Sequence, residues 1–105
     1  TSFIINMKRQ LEFHPEVTND IKGSYLWYED KLQGLGDRFL NELEDGYASI
    51  QNFPDTWANF QYGFKRYILN KFPFSILYKV TEEQIVVVAV MHNSRKPNYW
   101  LDRLS

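Results

Sequence analysis

Hydrophobic positions along the chain follow two periods, a helical one in the first half and a two-residue one in the second. Leu11 and Phe13 alternate with Gln10 and Glu12, which reads as a short half-buried strand over residues 9–13. Pro15 suits the first turn of a following helix, where its missing N–H costs nothing. Val17, Ile21, Tyr25, Tyr28 and Leu32 then recur at steps of four, four, three and four, which puts them on one helical face, while Asp20, Lys22, Glu29 and Asp30 point elsewhere. Gly34-Leu35-Gly36 breaks the pattern. A second amphipathic stripe follows, with Phe39, Leu43, Gly46, Ile50 and Phe53 widened by Leu40 and Tyr47, and Pro54 closes it. So short a break predicts an antiparallel helical hairpin.

Beyond a loop over residues 55–63 the period drops to two. Residues 64–71 read as one strand, and Phe72-Pro73 as its punctuation. Phe74, Ile76, Tyr78 and Val80 line one face of the next strand, with Ser75, Leu77 and Lys79 on the other. Residues 85–91 are continuously apolar and β-branched, as expected of a strand covered on both faces. Short links between the three predict an antiparallel meander. The tail, residues 97–104, suits a last short helix or a segment lying along the sheet edge. The expected order is β-α-α-β-β-β, an α+β fold with a helical hairpin packed on an antiparallel sheet.

Composition narrows the class. A chain of 105 residues with 17% aromatic and 44% hydrophobic residues has the material for one core, not two, and is not disordered. Met7, followed by Lys8-Arg9, reads as a natural start. On that reading residues 1–6 are an upstream remnant and residues 7–105 a single domain. The absence of Cys excludes disulfides and suits the cytoplasm. The longest apolar run is far below the ~20 residues of a membrane helix, so no membrane association is expected. Net charge is only -1, but it is unevenly spread: residues 1–60 hold five Lys/Arg against ten Asp/Glu, and residues 61–105 hold seven against three.

Candidate chemistry is sparse. Two histidines far apart and no Cys predict no metal site and no cofactor. Gly34-Leu35-Gly36 follows no strand and lacks the third glycine of a nucleotide fingerprint. What remains is a patch formed by His92, Arg95, Lys96 and Tyr99 with Lys65, Arg66 and Lys71. A histidine can move protons near neutrality and the cations can hold phosphate, so the set could bind or cleave RNA. Each member also has a plain structural reading. His92 suits a hydrogen-bonded strand end, the lysines a solvated surface, and Tyr99 and Trp100 anchors of the tail on the sheet. Leu26 and Trp27, off the main stripe, and the cluster Trp57, Phe60 and Tyr62 fit either internal packing or a partner groove.

In order and spacing the chain resembles the RelE/ParE superfamily of toxins from type II toxin–antitoxin (plasmid stabilisation) modules. The matching pieces are Phe13-His14-Pro15-Glu16, Trp27-Tyr28-Glu29, residues 34–39 and Asn52-Phe53-Pro54. They continue with Arg66, Phe72-Pro73-Phe74 with Tyr78, and residues 85–92 with Arg95, Pro97 and Trp100. The resemblance spans residues 9–103. It implies a toxin neutralised by a cognate antitoxin. Two activities are open within the superfamily: ParE-like members poison DNA gyrase by binding, and RelE-like members are ribosome-dependent mRNA endonucleases. The nuclease chemistry needs basic groups around the scissile phosphate, and the second meander strand offers only Lys79. The helical hairpin and the His92-x-x-Arg95 ending are closer to the ParE-like side. The expectation is therefore a gyrase-binding toxin without catalysis, with ribosome and mRNA as the alternative target. Under that alternative the catalytic candidates are His92, Arg95, Tyr99, Lys65 and Arg66. The target- or antitoxin-binding candidates are Leu26, Trp27, Arg66, Lys71, His92, Arg95 and Trp100.

Overall fold

The computed structural model describes residues 9–95 and 99–104. Strand β1 (Gln10–Phe13) leads into helix α1 (Val17–Lys31), a tight turn and helix α2 (Leu35–Asn52). A two-residue strand β2 (Ala58–Asn59), a 3-10 turn, and strands β3 (Lys65–Ile68), β4 (Phe74–Val80) and β5 (Gln84–His92) follow, and a 3-10 segment, Tyr99–Leu104, ends the chain. The proposed start at Met7, the 1–6 remnant, Lys96 and Pro97 lie outside the described residues. No helix among the described residues is long and apolar enough to cross a membrane.

The helical hairpin turns where glycine is required. Gly34 has φ 89°, a left-handed conformation that costs other residues a steric clash. The Glu29 carboxylate accepts the N–H groups of Gly34 at 2.9 Å and Gly36 at 2.8 Å, satisfying donors that the start of α2 leaves open. Gly36 also lets the helices approach, because a Cβ there would lie 2.8 Å from the Tyr25 ring and from Glu29 Cγ.

The sheet has the order β1-β5-β4-β3-β2. The meander is antiparallel as expected, but β1 joins β5 in parallel, so the sheet is mixed. This corrects the purely antiparallel expectation. Parallel neighbours need a long crossover, and the whole helical hairpin together with β2–β4 lies between β1 and β5. The first meander strand ends at Ile68 rather than residue 71. The Glu42 carboxylate on α2 takes the backbone N–H groups of Asn70 and Lys71, which pulls that loop onto the helix.

Two apolar layers sandwich the sheet. On the helix side Phe39, Leu43 and Ile50 meet Ile76, Tyr78, Ile85, Val87 and Val90. On the far side Trp100 of the tail, with Phe64, covers Leu77, Val88, Ala89 and Met91. Cover from both sides explains the unbroken apolar run of β5, of which Val86 is left half-buried. That run hid a β-bulge: Leu77 faces Ala89 while Tyr78 faces Val87, so Val88 has no partner across the ladder. The extra residue reverses the alternation, and Val90 returns to the helix side.

Candidate functional site

The sequence-derived candidates divide between the two sides of the sheet. His92 lies beyond the bulge, with its ring 5.1 Å from that of Phe74, on the helix side. Its Nδ1 accepts the Ser94 N–H at 3.1 Å, which fills the strand-end role. With Gly23, Ser24, Trp27 and Tyr28 of α1 and with Pro73 and Phe74, it lines an apolar groove of about 500 Å³. Trp27 stands 57% exposed at this groove, beside Leu26 at 55%. Its ring packs edge-on against Tyr28 and carries the Lys31 ammonium at 5.0 Å. Exposed aromatic and aliphatic groups of this size mark contact surfaces.

Arg66 projects to the far side. Its Nε donates to Ser75 Oγ at 2.9 Å, an Nη donates to Asn93 Oδ1 at 3.1 Å, and its guanidinium lies 5.3 Å from the centre of the Phe60 ring. Arg95 covers the Tyr99 ring at 3.7 Å. Lys65 turns to the sheet margin, where Nζ donates to Trp57 O and Asn59 Oδ1. Lys71 sits on the loop held by Glu42 and lines a polar cleft with Arg38 and Asn41. Trp100 is fully buried, so its side chain anchors the tail and offers no surface to a partner. His92 is thus on the opposite side of the sheet from Arg66, Arg95 and Tyr99, and Lys65 and Lys71 belong to two further places.

One charged constellation escaped the sequence reading. Asp20, expected to point outward, is nearly buried. Its carboxylate accepts both arms of the Arg103 guanidinium, at 2.7 and 2.8 Å. The same carboxylate accepts the Val90 N–H at 3.1 Å, and Arg103 donates to Val88 O at 3.1 Å. Strand β1 covers β5 only as far as Val87, so these backbone groups would otherwise form an unpaired strand edge. The ion pair closes that edge and ties the tail to α1. The hydrogen bond from Arg103 to Asp20 holds the guanidinium proton more firmly than usual, raising its pKa. Burial, then Asp20, pushes the Tyr99 hydroxyl up from 10, against the pull of Arg103 and Arg95. Asp20 lies three residues after Val17, on the flank of the buried stripe. That spacing was a signal, but nothing local named a partner 83 residues away.

The fold of helices packed on a mixed sheet is similar to that of a solved structure. The solved "Chromosomal ParDE TA system from P. aeruginosa" has a chain that matches with a TM-score of 0.71 at 15% identity, covering 80% of this chain and 95% of that one. Among sequences, "Toxin ParE2" of Mycobacterium tuberculosis, present in two strains, is 28% identical over 93 residues, 88% of this chain and 89% of the relative. The pattern of the family described as "ParE toxin of type II toxin-antitoxin system, parDE" matches residues 11–97, which hold both helices and every strand except the first residue of β1. With fold, length and sequence pattern in agreement, the chain belongs to the ParE toxin family of type II toxin–antitoxin systems.

Proposed function

We propose that the protein acts in the cytoplasm by binding and poisoning DNA gyrase, and that a cognate antitoxin neutralises it. The observation that carries this reading is the division of the candidate catalytic groups. Acid–base cleavage of a phosphodiester needs a proton-transfer group within hydrogen-bond reach of the same reacting atoms that the cations surround. Here His92 faces the helix-side groove, while Arg66 and Arg95 lie across the sheet, and the Tyr99 hydroxyl beside them is buried, with a pKa raised from 10 that keeps it protonated. A protein that acts by binding needs no such convergence.

The groove around Trp27 is the surface offered to an apolar anchor of the antitoxin. It is lined mostly by carbon, and the Trp27 ring at its edge packs on Tyr28 and under the Lys31 ammonium.

The test is a pair of assays on the purified full chain. Added to gyrase and relaxed plasmid, the protein should stop supercoiling and accumulate cleaved DNA, and added to translating ribosomes it should leave mRNA intact. Cleaved mRNA with normal supercoiling would replace this reading with the endonuclease.

A further inference from the structure

The far side of the sheet carries three cations that make no ion pair among the described residues. Arg66 lies over Phe60, Lys79 over Phe64 at 5.7 Å, and Arg95 over Tyr99. All three rings belong to the layer that packs around Trp100. None of the three cations has a carboxylate ion-pair partner among the described residues, where the ion pair found is Asp20–Arg103. Seven of the thirteen acidic residues, in contrast, lie on α1 and α2, across the sheet. The acidic residues of the helices thus lie across the sheet from these three cations, with Glu12 on the cations' side. A concavity of about 530 Å³ is lined by Lys79, Arg103 and Tyr62 together with Glu12.

The cations are held in place rather than left to wander. Ser75 and Asn93 fix the plane of the Arg66 guanidinium and leave most of its donors open. Arg95 lies over the Tyr99 ring at 3.7 Å, and the Tyr99 backbone is tied down by buried Trp100 and by the Arg103–Asp20 pair. They do not converge on one point. Arg66 faces Leu77 across the ladder, and Lys79 lies two residues further along β4 on the same face. From ordinary sheet spacings the two Cα atoms are about 8 Å apart. Arg95 follows the end of β5, on the other flank. A row of separated cations suits a repeating anion better than a single phosphate. The ring faces are already covered by the cations, so they are not platforms on which unpaired bases could stack, as single-strand binders require. Guanidinium groups match phosphate oxygens through paired donors.

The geometry points to a second binding surface here, one that contacts the phosphate backbone of duplex DNA through Arg66, Lys79 and Arg95 without reading sequence. It needs no gyrase, and it stands or falls separately from the target proposed above. Three phosphate contacts give a salt slope of about -2.7, which lowers affinity about 40-fold between 50 and 200 mM salt.

The experiment is fluorescence anisotropy of the full chain with labelled duplexes of unrelated sequence. Single-stranded RNA of equal length and polyglutamate serve as the other arms. The expected result is equal binding to all duplexes with that slope. Arg66→Gln, Lys79→Gln and Arg95→Gln should each make the slope shallower by about 0.9. Lys22→Gln, on the exposed side of α1, should leave it unchanged, and Arg66→Lys should retain it. Far-ultraviolet circular dichroism identifies any variant that has lost its fold, and the other two cations then carry the test. Absence of duplex binding at 50 mM salt would overturn the proposal. So would an equal loss in Lys22→Gln, or tighter binding of the RNA or the polyglutamate than of duplex DNA.

Discussion

Replacing Arg103 by Met isolates the charge of the tail clasp from its packing, because Met keeps a stem of similar length. The substitution removes two charge-assisted bonds to Asp20 and the bond to Val88 O. It leaves the Asp20 carboxylate, whose side chain is only 7% exposed, with the Val90 N–H as its remaining partner. Breaking a buried pair by deleting one member costs about 3–5 kcal/mol, since the other charge stays desolvated. The Arg103 side chain keeps 12% exposure, so the lower figure, about 3 kcal/mol, is expected. At an m value of about 1.5 kcal/mol/M that lowers the urea midpoint by about 2 M. The double variant Asp20→Asn with Arg103→Met should recover most of the loss. An amide is neutral and its oxygen still accepts the Val90 N–H, so the net cost should fall to about 1 kcal/mol. Equilibrium urea unfolding of the two single variants and the double variant gives the coupling directly. A cost below 1 kcal/mol for Arg103→Met, or additive effects in the double variant, would refute the reasoning and make the pair equivalent to a surface salt bridge.

Two glycines in helices should respond with opposite signs. Gly36→Ala drives a Cβ to 2.8 Å from Tyr25 and Glu29 and should cost about 1–3 kcal/mol, whereas Gly23→Ala meets nothing and should gain up to about 1 kcal/mol, both read by thermal unfolding. Trp27→Ala should weaken antitoxin binding by at least about 30-fold in calorimetry, the loss of a contact worth about 2 kcal/mol, with stability changed by less than about 0.5 kcal/mol because the side chain is exposed. The Tyr78 hydroxyl, which donates to Pro54 O at 2.8 Å, has its pKa raised above 10, chiefly by burial and further by Asp55. Its neutral form is thus favoured in the folded protein, so its contribution is intact below pH 10 and is lost as pH rises beyond that. Stability should fall above pH 10 by about 1.4 kcal/mol per unit from this group, and Tyr78→Phe should flatten that limb of the profile.

The helical hairpin and the meander were legible because their signals are local. Phe39, Leu43 and Ile50 lie on one face wherever α2 packs, and Phe74, Ile76 and Tyr78 share a face as long as β4 is extended. The roles of Trp100 as tail anchor and of His92 as strand end were also readable from residue type and position. The mixed sheet was not legible. A four-residue strand such as β1 carries no mark of its neighbour or direction. The candidate cations read as one patch because they cluster along the chain, yet a strand sends successive side chains to opposite sides, and adjacent Lys65 and Arg66 part company for that reason.

By itself the sequence determined the two helices, the three meander strands and the centres of the stripes that become core, while the stripe ends Leu32 and Phe53 stand exposed and β2 lies in a segment that reads as loop. Period and composition act over a few residues and survive any change of neighbours. Tertiary structure alone decided the sides. The extra residue Val88 shifts β5 by one position and sends every later side chain to the opposite face. The edge left where β1 stops then finds its partners in Asp20 and Arg103, brought together from opposite ends of the chain. No local spacing encodes such a meeting, because it depends on where two layers and a tail close around the same strand.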